Sequence, residues 1–140
     1  MLQPKRYKFL KKQKGRIKGR YENRSNQLKF GVFGIQALEP GKLTARQIEA
    51  IRRTITNLTK REAKIWIRVF PDFPLTAKPT EIRMGRGKGS VDQWVCKVNK
   101  GRILFEVTGK NLNVLWNILY YTKIKFPFPV QIIKRSTDLE

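Results

Sequence analysis

The chain has 140 residues, 31 Lys and Arg against 10 Asp and Glu, and a formal net charge of +21; it is long enough for one domain with a real core, and its self-repulsion calls for an anionic partner. It has no histidine and one cysteine, Cys96, which excludes an intramolecular disulfide scaffold, effectively rules out a structural zinc site and removes the commonest general base. Its carboxylates are scattered and no apolar run approaches a membrane span, so the expectation is no enzyme, no cofactor, no metal, no small-molecule substrate and no membrane partner.

Residues 1–27 read as a basic arm. Lys5, Arg6, Lys8, Lys11, Lys12, Lys14, Arg16, Lys18 and Arg20 all precede the first acidic residue, Glu22. An arm of this kind buries too little apolar surface to offset its ordering entropy, so it is expected to order against RNA or DNA. Tyr7, Phe9 and Tyr21 sit among the cations and can stack on bases or pack on the domain.

Residues 28–135 read as a single α+β domain. Leu28 to Phe33 alternates in the manner of a half-buried strand continuing toward Leu38, and Glu39-Pro40-Gly41 turns the chain. A helix follows, capped by Thr44 with Gln47 completing a capping box and Leu43 and Ile48 forming a hydrophobic staple. Its apolar stripe is Ile48, Ile51, Ile55 and Leu58; Arg46, Arg52 and Arg53 lie on a basic face, with Glu49 one turn before Arg53. Lys64 to Phe70 has apolar residues on both faces, as a central strand would. Pro71, Pro74 and Pro79 then hold an extended connection.

That connection leads into Arg83-Met84-Gly85-Arg86-Gly87-Lys88-Gly89, where three cations alternate with three glycines. A backbone of so little bulk can carry charge into a narrow, phosphate-lined space. Two nucleotide-binding patterns fail here. A phosphate-binding loop needs Gly-Lys followed by Ser or Thr, whereas Lys88 precedes Gly89 and Ser90 comes one residue late; the dinucleotide fingerprint needs a wider final gap and a following helix. The remaining alternatives are a projecting polyanion-binding loop and a merely solvated one.

Beyond the loop, Gln93 to Val98 and Arg102 to Val107 predict two strands joined at Asn99-Lys100-Gly101 in a hairpin. Asn111 caps a second helix with Leu112, Leu115, Trp116 and Leu119 inward, ending before Pro127. Val130 to Lys134 returns as a strand, and 136–140 is a polar tail. The order predicts a two-layer sandwich, a mixed sheet with two helices on one face, carrying a basic N-terminal arm and a projecting Gly/Arg/Lys loop.

The blocks Met-Leu-Gln-Pro-Lys-Arg at 1–6, Leu-Thr-Ala-Arg-Gln-Ile-Glu-Ala at 43–50, Lys-Ile-Trp-Ile-Arg-Val-Phe-Pro-Asp at 64–72 and Arg-Met-Gly-Arg-Gly-Lys-Gly at 83–89 give the chain a resemblance to a known family. It resembles the ribosomal protein sixteen family of the large subunit, in its bacterial and organellar form, over essentially its whole length. The resemblance implies a structural constituent that binds large-subunit rRNA near the central protuberance and helps form the aminoacyl-tRNA site and the peptidyl-transferase surroundings. The implied partners are that rRNA, tRNA in the aminoacyl and peptidyl sites, and neighbouring ribosomal proteins. Carried over by position, residues 83–89 of the loop, the nine cations of the arm, and Arg46, Arg52 and Arg53 of the first helix would meet RNA. Departures from the family pattern are Arg86 where Lys is common, Gln13 where His is frequent, and bulky residues in the second helix where relatives often use Ala. Abundant Ile, Lys, Asn and Phe, and a start at the family's N-terminal motif, favour a mitochondrial matrix over a plastid or a bacterial cytoplasm. The alternative is a free-standing basic RNA-binding protein with a regulatory or assembly role, which would have a defined target outside the ribosome.

Overall fold

The computed structural model describes residues 2–135; the tail expected at 136–140 lies outside the described residues. The elements are β1 (Phe33–Ala37), β2 (Gly41–Thr44), α1 (Ala45–Leu58), β3 (Lys64–Ile67), β4 (Phe73–Ala77), β5 (Ser90–Val98), β6 (Ile103–Thr108), α2 (Leu112–Thr122), a short 3-10 turn (Lys123–Lys125) and β7 (Val130–Lys134). They form a four-stranded sheet of order β3-β6-β1-β7 and a three-stranded sheet of order β2-β5-β4. One cluster, including Ile35, Phe105 and Val107 of the first sheet, Leu43, Cys96 and Val98 of the second, Ile48, Ile51 and Ile55 of α1, and Leu115 and Leu119 of α2, makes a common core. The architecture is the α+β sandwich expected from the order of elements. The sheet differs in kind, since every strand ladder is antiparallel and the parallel bridge Tyr21–Lys100 stands outside the strands.

Helix α1 follows its sequence signals closely. Gln47 N–H donates to the Thr44 hydroxyl oxygen at 3.2 Å, and Thr44 N–H donates to Gln47 Oε1 at 2.9 Å, closing the capping box. Leu43, Ile48, Ile51 and Ile55 are fully buried, but Leu58 is half exposed and Thr59 is buried in its place. The chain bends there through the left-handed residues Lys60 and Arg61, so the stripe ends a turn early.

Further local expectations are corrected. The segment 28–32 is not a strand; the backbone N–H groups of Lys29, Phe30 and Gly31 turn onto the carboxylate of Glu106 instead. Strand β3 is an edge, pairing with β6 only; its outward Trp66 is stacked on Phe30 at 6.1 Å, which explains why both faces read as apolar. The proline connection contains β4, where Pro74 stands opposite Trp94, on an edge where a missing N–H is tolerated. And β5 and β6 do not form a hairpin: the chain changes sheets at Asn99–Arg102, with Gly101 at φ 84° beneath the Tyr21 ring. In α2, Asn111 occupies the N-cap without a side-chain cap bond, and Ile118 and Thr122 are buried where Leu112 and Trp116 are partly exposed.

Candidate nucleic-acid interface

The glycine loop projects from the β4–β5 pair, and residues 78–88 are exposed throughout. Its glycines have two different causes. Gly85 and Gly87 have φ of 99° and 84°, with open space where a Cβ would stand, so backbone conformation demands them. A Cβ on Gly89 would lie 2.3 Å from the Ala77 carbonyl oxygen; Gly89 lets the two strands close beneath the loop. Arg86 itself holds a left-handed φ of 55°, which costs a non-glycine residue about 1–2 kcal/mol. Met84 is 99 % exposed at the tip, and Arg83, Arg86 and Lys88 are exposed with it.

Among its described residues the arm has no helix or strand, yet it is laid along the domain. Tyr7 donates its hydroxyl to the Asp72 carbonyl at 2.9 Å and packs its ring on Trp94 at 5.4 Å. Lys12 caps the same ring at 4.4 Å. The arm then crosses the base of the loop: Lys11 Nζ donates to the Lys88 carbonyl at 3.0 Å, while Lys88 Nζ donates to the Lys12 carbonyl. Lys97 of β5 donates to the Lys14 carbonyl at 2.9 Å. Lys5, Arg6, Lys8, Arg16, Lys18 and Arg20 are exposed along this path. Of the three arm aromatics, Tyr7 and Tyr21 pack on the domain and Phe9 stays 69 % exposed.

Of the cations expected to bind RNA, Lys11, Lys12 and Lys14 of the arm are therefore brought to Lys88 at the base of the loop. Of those on α1, Arg46 shares a shallow pocket with Leu2 and Gln3 at the start of the arm, while Arg52 and Arg53 are engaged by Glu49. Arg52 holds Glu49 with two bonds, of 2.7 and 2.9 Å, and Arg53 adds a third at 3.2 Å. The Arg52 guanidinium, assisted against partial burial by Arg53, pulls the Glu49 carboxyl down to about 2. Arg46 remains exposed beside them.

Sequence reasoning missed the group that anchors the start of the domain. Glu106 is fully buried. Burial pushes its carboxyl up, but the N–H groups of Gly31 and Phe30, the Arg68 guanidinium and the N–H of Lys29 together outweigh that and hold it below the ordinary value of 4.5. Arg68 bridges Glu106 Oε1 and the Gln27 carbonyl, each at 2.6 Å. An alternating apolar strand with one acid in it was the available signal, since a lone buried carboxylate requires partners.

Residues 4–133 match the family described as Ribosomal protein L16p/L10e. The chain is also 53% identical over 138 residues, covering 99% of its own length and 100% of the relative's, to the "Large ribosomal subunit protein uL16" of Chelativorans sp. (strain BNC1).

Proposed function

Because the chain belongs to the ribosomal protein L16p/L10e family, and is thereby a structural constituent of the large ribosomal subunit and not an enzyme, we propose that its arm and glycine loop are its rRNA-binding elements. Its partners are rRNA and neighbouring ribosomal proteins. We further propose that it sits near the central protuberance, that the loop approaches the peptidyl-transferase surroundings, and that the arm reaches tRNA in the aminoacyl and peptidyl sites.

The observation that carries this reading is the crossing of two cationic segments. Lysines of the arm and the loop bond to each other's carbonyls, which packs like charges side by side; that arrangement is favourable against a polyanion and costly without one. Arg83, Met84, Gly85, Arg86, Gly87, Lys88 and Gly89 are the loop contacts, and Lys5, Arg6, Lys8, Lys11, Lys12, Lys14, Arg16, Lys18 and Arg20 those of the arm. On α1, Arg46 is offered to RNA directly, and Arg52 and Arg53 through the edges that Glu49 leaves open. For the compartment, composition supports a mitochondrial ribosome, while the named relative is bacterial.

The test is sedimentation of the tagged chain from a native lysate through a high-salt gradient, which strips adventitious polycation binding. Retention with large-subunit RNA at about one copy per particle is the expected result. Loss of the chain to the top of the gradient, with a defined RNA target elsewhere, would favour a free-standing regulatory or assembly protein.

A further inference from the structure

Beside the crossing of arm and loop lies a cavity of about 230 Å³, and four of the residues that line it are lysines from three separate stretches: Lys12 and Lys14 of the arm, Lys42 of β2 and Lys88 of the loop. Asp92 is the one acidic residue in that lining. Thr76 of β4 is also part of the wall.

A second observation points the same way. In the register of β2 on β5, Lys42 stands directly opposite Lys97, a like-charge cross-strand pair that destabilises a sheet by itself. Lys97 is turned away toward the Lys14 carbonyl and lies 3.7 Å over the Phe73 ring. The strands, the arm and the loop thus deliver positive charge to one concave space from different directions, where chain-local solvation would spread it out. An anion seated there relieves the repulsion among the lysines that line the cavity.

Resting on the rRNA-binding reading above, we propose that this cavity is a phosphodiester site, in which one backbone phosphate of the RNA joins Lys12 and Lys14 of the arm to Lys42 and Lys88. Bound in this way, the phosphate clamps arm to loop, so the two segments dock together.

Salt dependence separates this from a set of independent contacts, because the slope of log K against log salt counts phosphates neutralised and not lysines supplied. The purified full chain and an in vitro large-subunit rRNA transcript are the probe, and circular dichroism checks the fold of each variant. Replacing all four residues (Lys12→Gln, Lys14→Gln, Lys42→Gln, Lys88→Gln) should lower the slope by roughly 0.7–0.9, the value of a single phosphate. A fall of about 3 means four separate phosphates and overturns the clamp. If the fourfold variant does not fold, the pair Lys14→Gln and Lys88→Gln decides. Its slope should fall by no more than about 0.9, with a combined loss of affinity smaller than the product of the single losses; multiplicative losses and a fall of about 1.4–1.8 overturn the clamp. Equal displacement of the transcript's hold on these lysines by poly-glutamate of matched charge would overturn the assignment to phosphate. A wild-type chain that binds the transcript no better than polylysine fails the underlying reading itself, a different result from any of these.

Discussion

Glu106 is the residue on which most of the local order at the domain entrance depends. Its carboxylate accepts from Lys29, Phe30 and Gly31 and pairs with Arg68, whose side chain is only 12% exposed. Glu106→Gln leaves that guanidinium without its anion in a nearly dry site. Breaking a buried pair from one side costs about 3–5 kcal/mol, and the expected loss in chemical denaturation is at the lower end, about 3 kcal/mol, because a glutamine oxygen still accepts. The pH dependence follows from a carboxyl held below its ordinary value. Its contribution is complete above the unfolded value, near 4.5, and is lost as pH falls through the folded value. The wild type should therefore lose stability below that pH more steeply than Glu106→Gln; parallel acid-unfolding curves would contradict the assignment. Glu49, held at about 2 by Arg52 and Arg53, shows the same sign at the surface, where i,i+3 and i,i+4 pairs contribute only tenths of a kcal/mol.

At the scale of the element, the glycine loop separates a close-approach requirement from a conformational one. Gly89→Ala puts a methyl group against the Ala77 carbonyl and forces β4 from β5 at the loop's base. The expected loss is about 2 kcal/mol, within the range for overpacking, and amide exchange should rise along β4. Gly85→Ala meets no neighbour but keeps a φ of 99°, so the loop tip rearranges and the thermal midpoint changes little. Equal effects of the two substitutions would refute this division. Helix α1 starts on a local signal, whereas β4 formed only where its segment met a tertiary partner. The capping box needed nothing else; β4 needed Trp94 and Val95 of β5 to make a strand of a segment containing Pro74.

For the molecule as a whole, charge and core are kept on different parts of the chain. Among the described residues most cations sit on the arm, the loop and the outer faces, and the nearly buried Arg68 is paired with Glu106. Removing loop charge should therefore spare the fold. Arg83→Ala with Arg86→Ala is expected to leave the thermal midpoint nearly unchanged, since surface substitutions usually stay within about 0.5 kcal/mol. The same pair should lower the salt slope of rRNA binding by roughly 1.4–1.8, as two tip arginines meeting separate phosphates would. A collapse of thermal stability, or an unaltered slope, would count against the loop as a surface contact element.

The sequence by itself determined the α+β class, the capped first helix, the final strand, the projecting loop and the family, because each rests on local chemistry: capping boxes, alternation, glycine spacing and blocks of residues in order. Only the tertiary structure decided that the strands divide into two antiparallel sheets at Gly101, that β3 is an edge covered by Phe30, and that residues 28–31 fold onto Glu106. It also decided that arm and loop meet beside Lys42, with 77 positions separating Lys11 from Lys88. The physical reason is range. A cap or a turn is complete within a few residues, whereas a buried carboxylate, a sheet edge or a cluster of like charges is defined by partners that sequence spacing does not reveal.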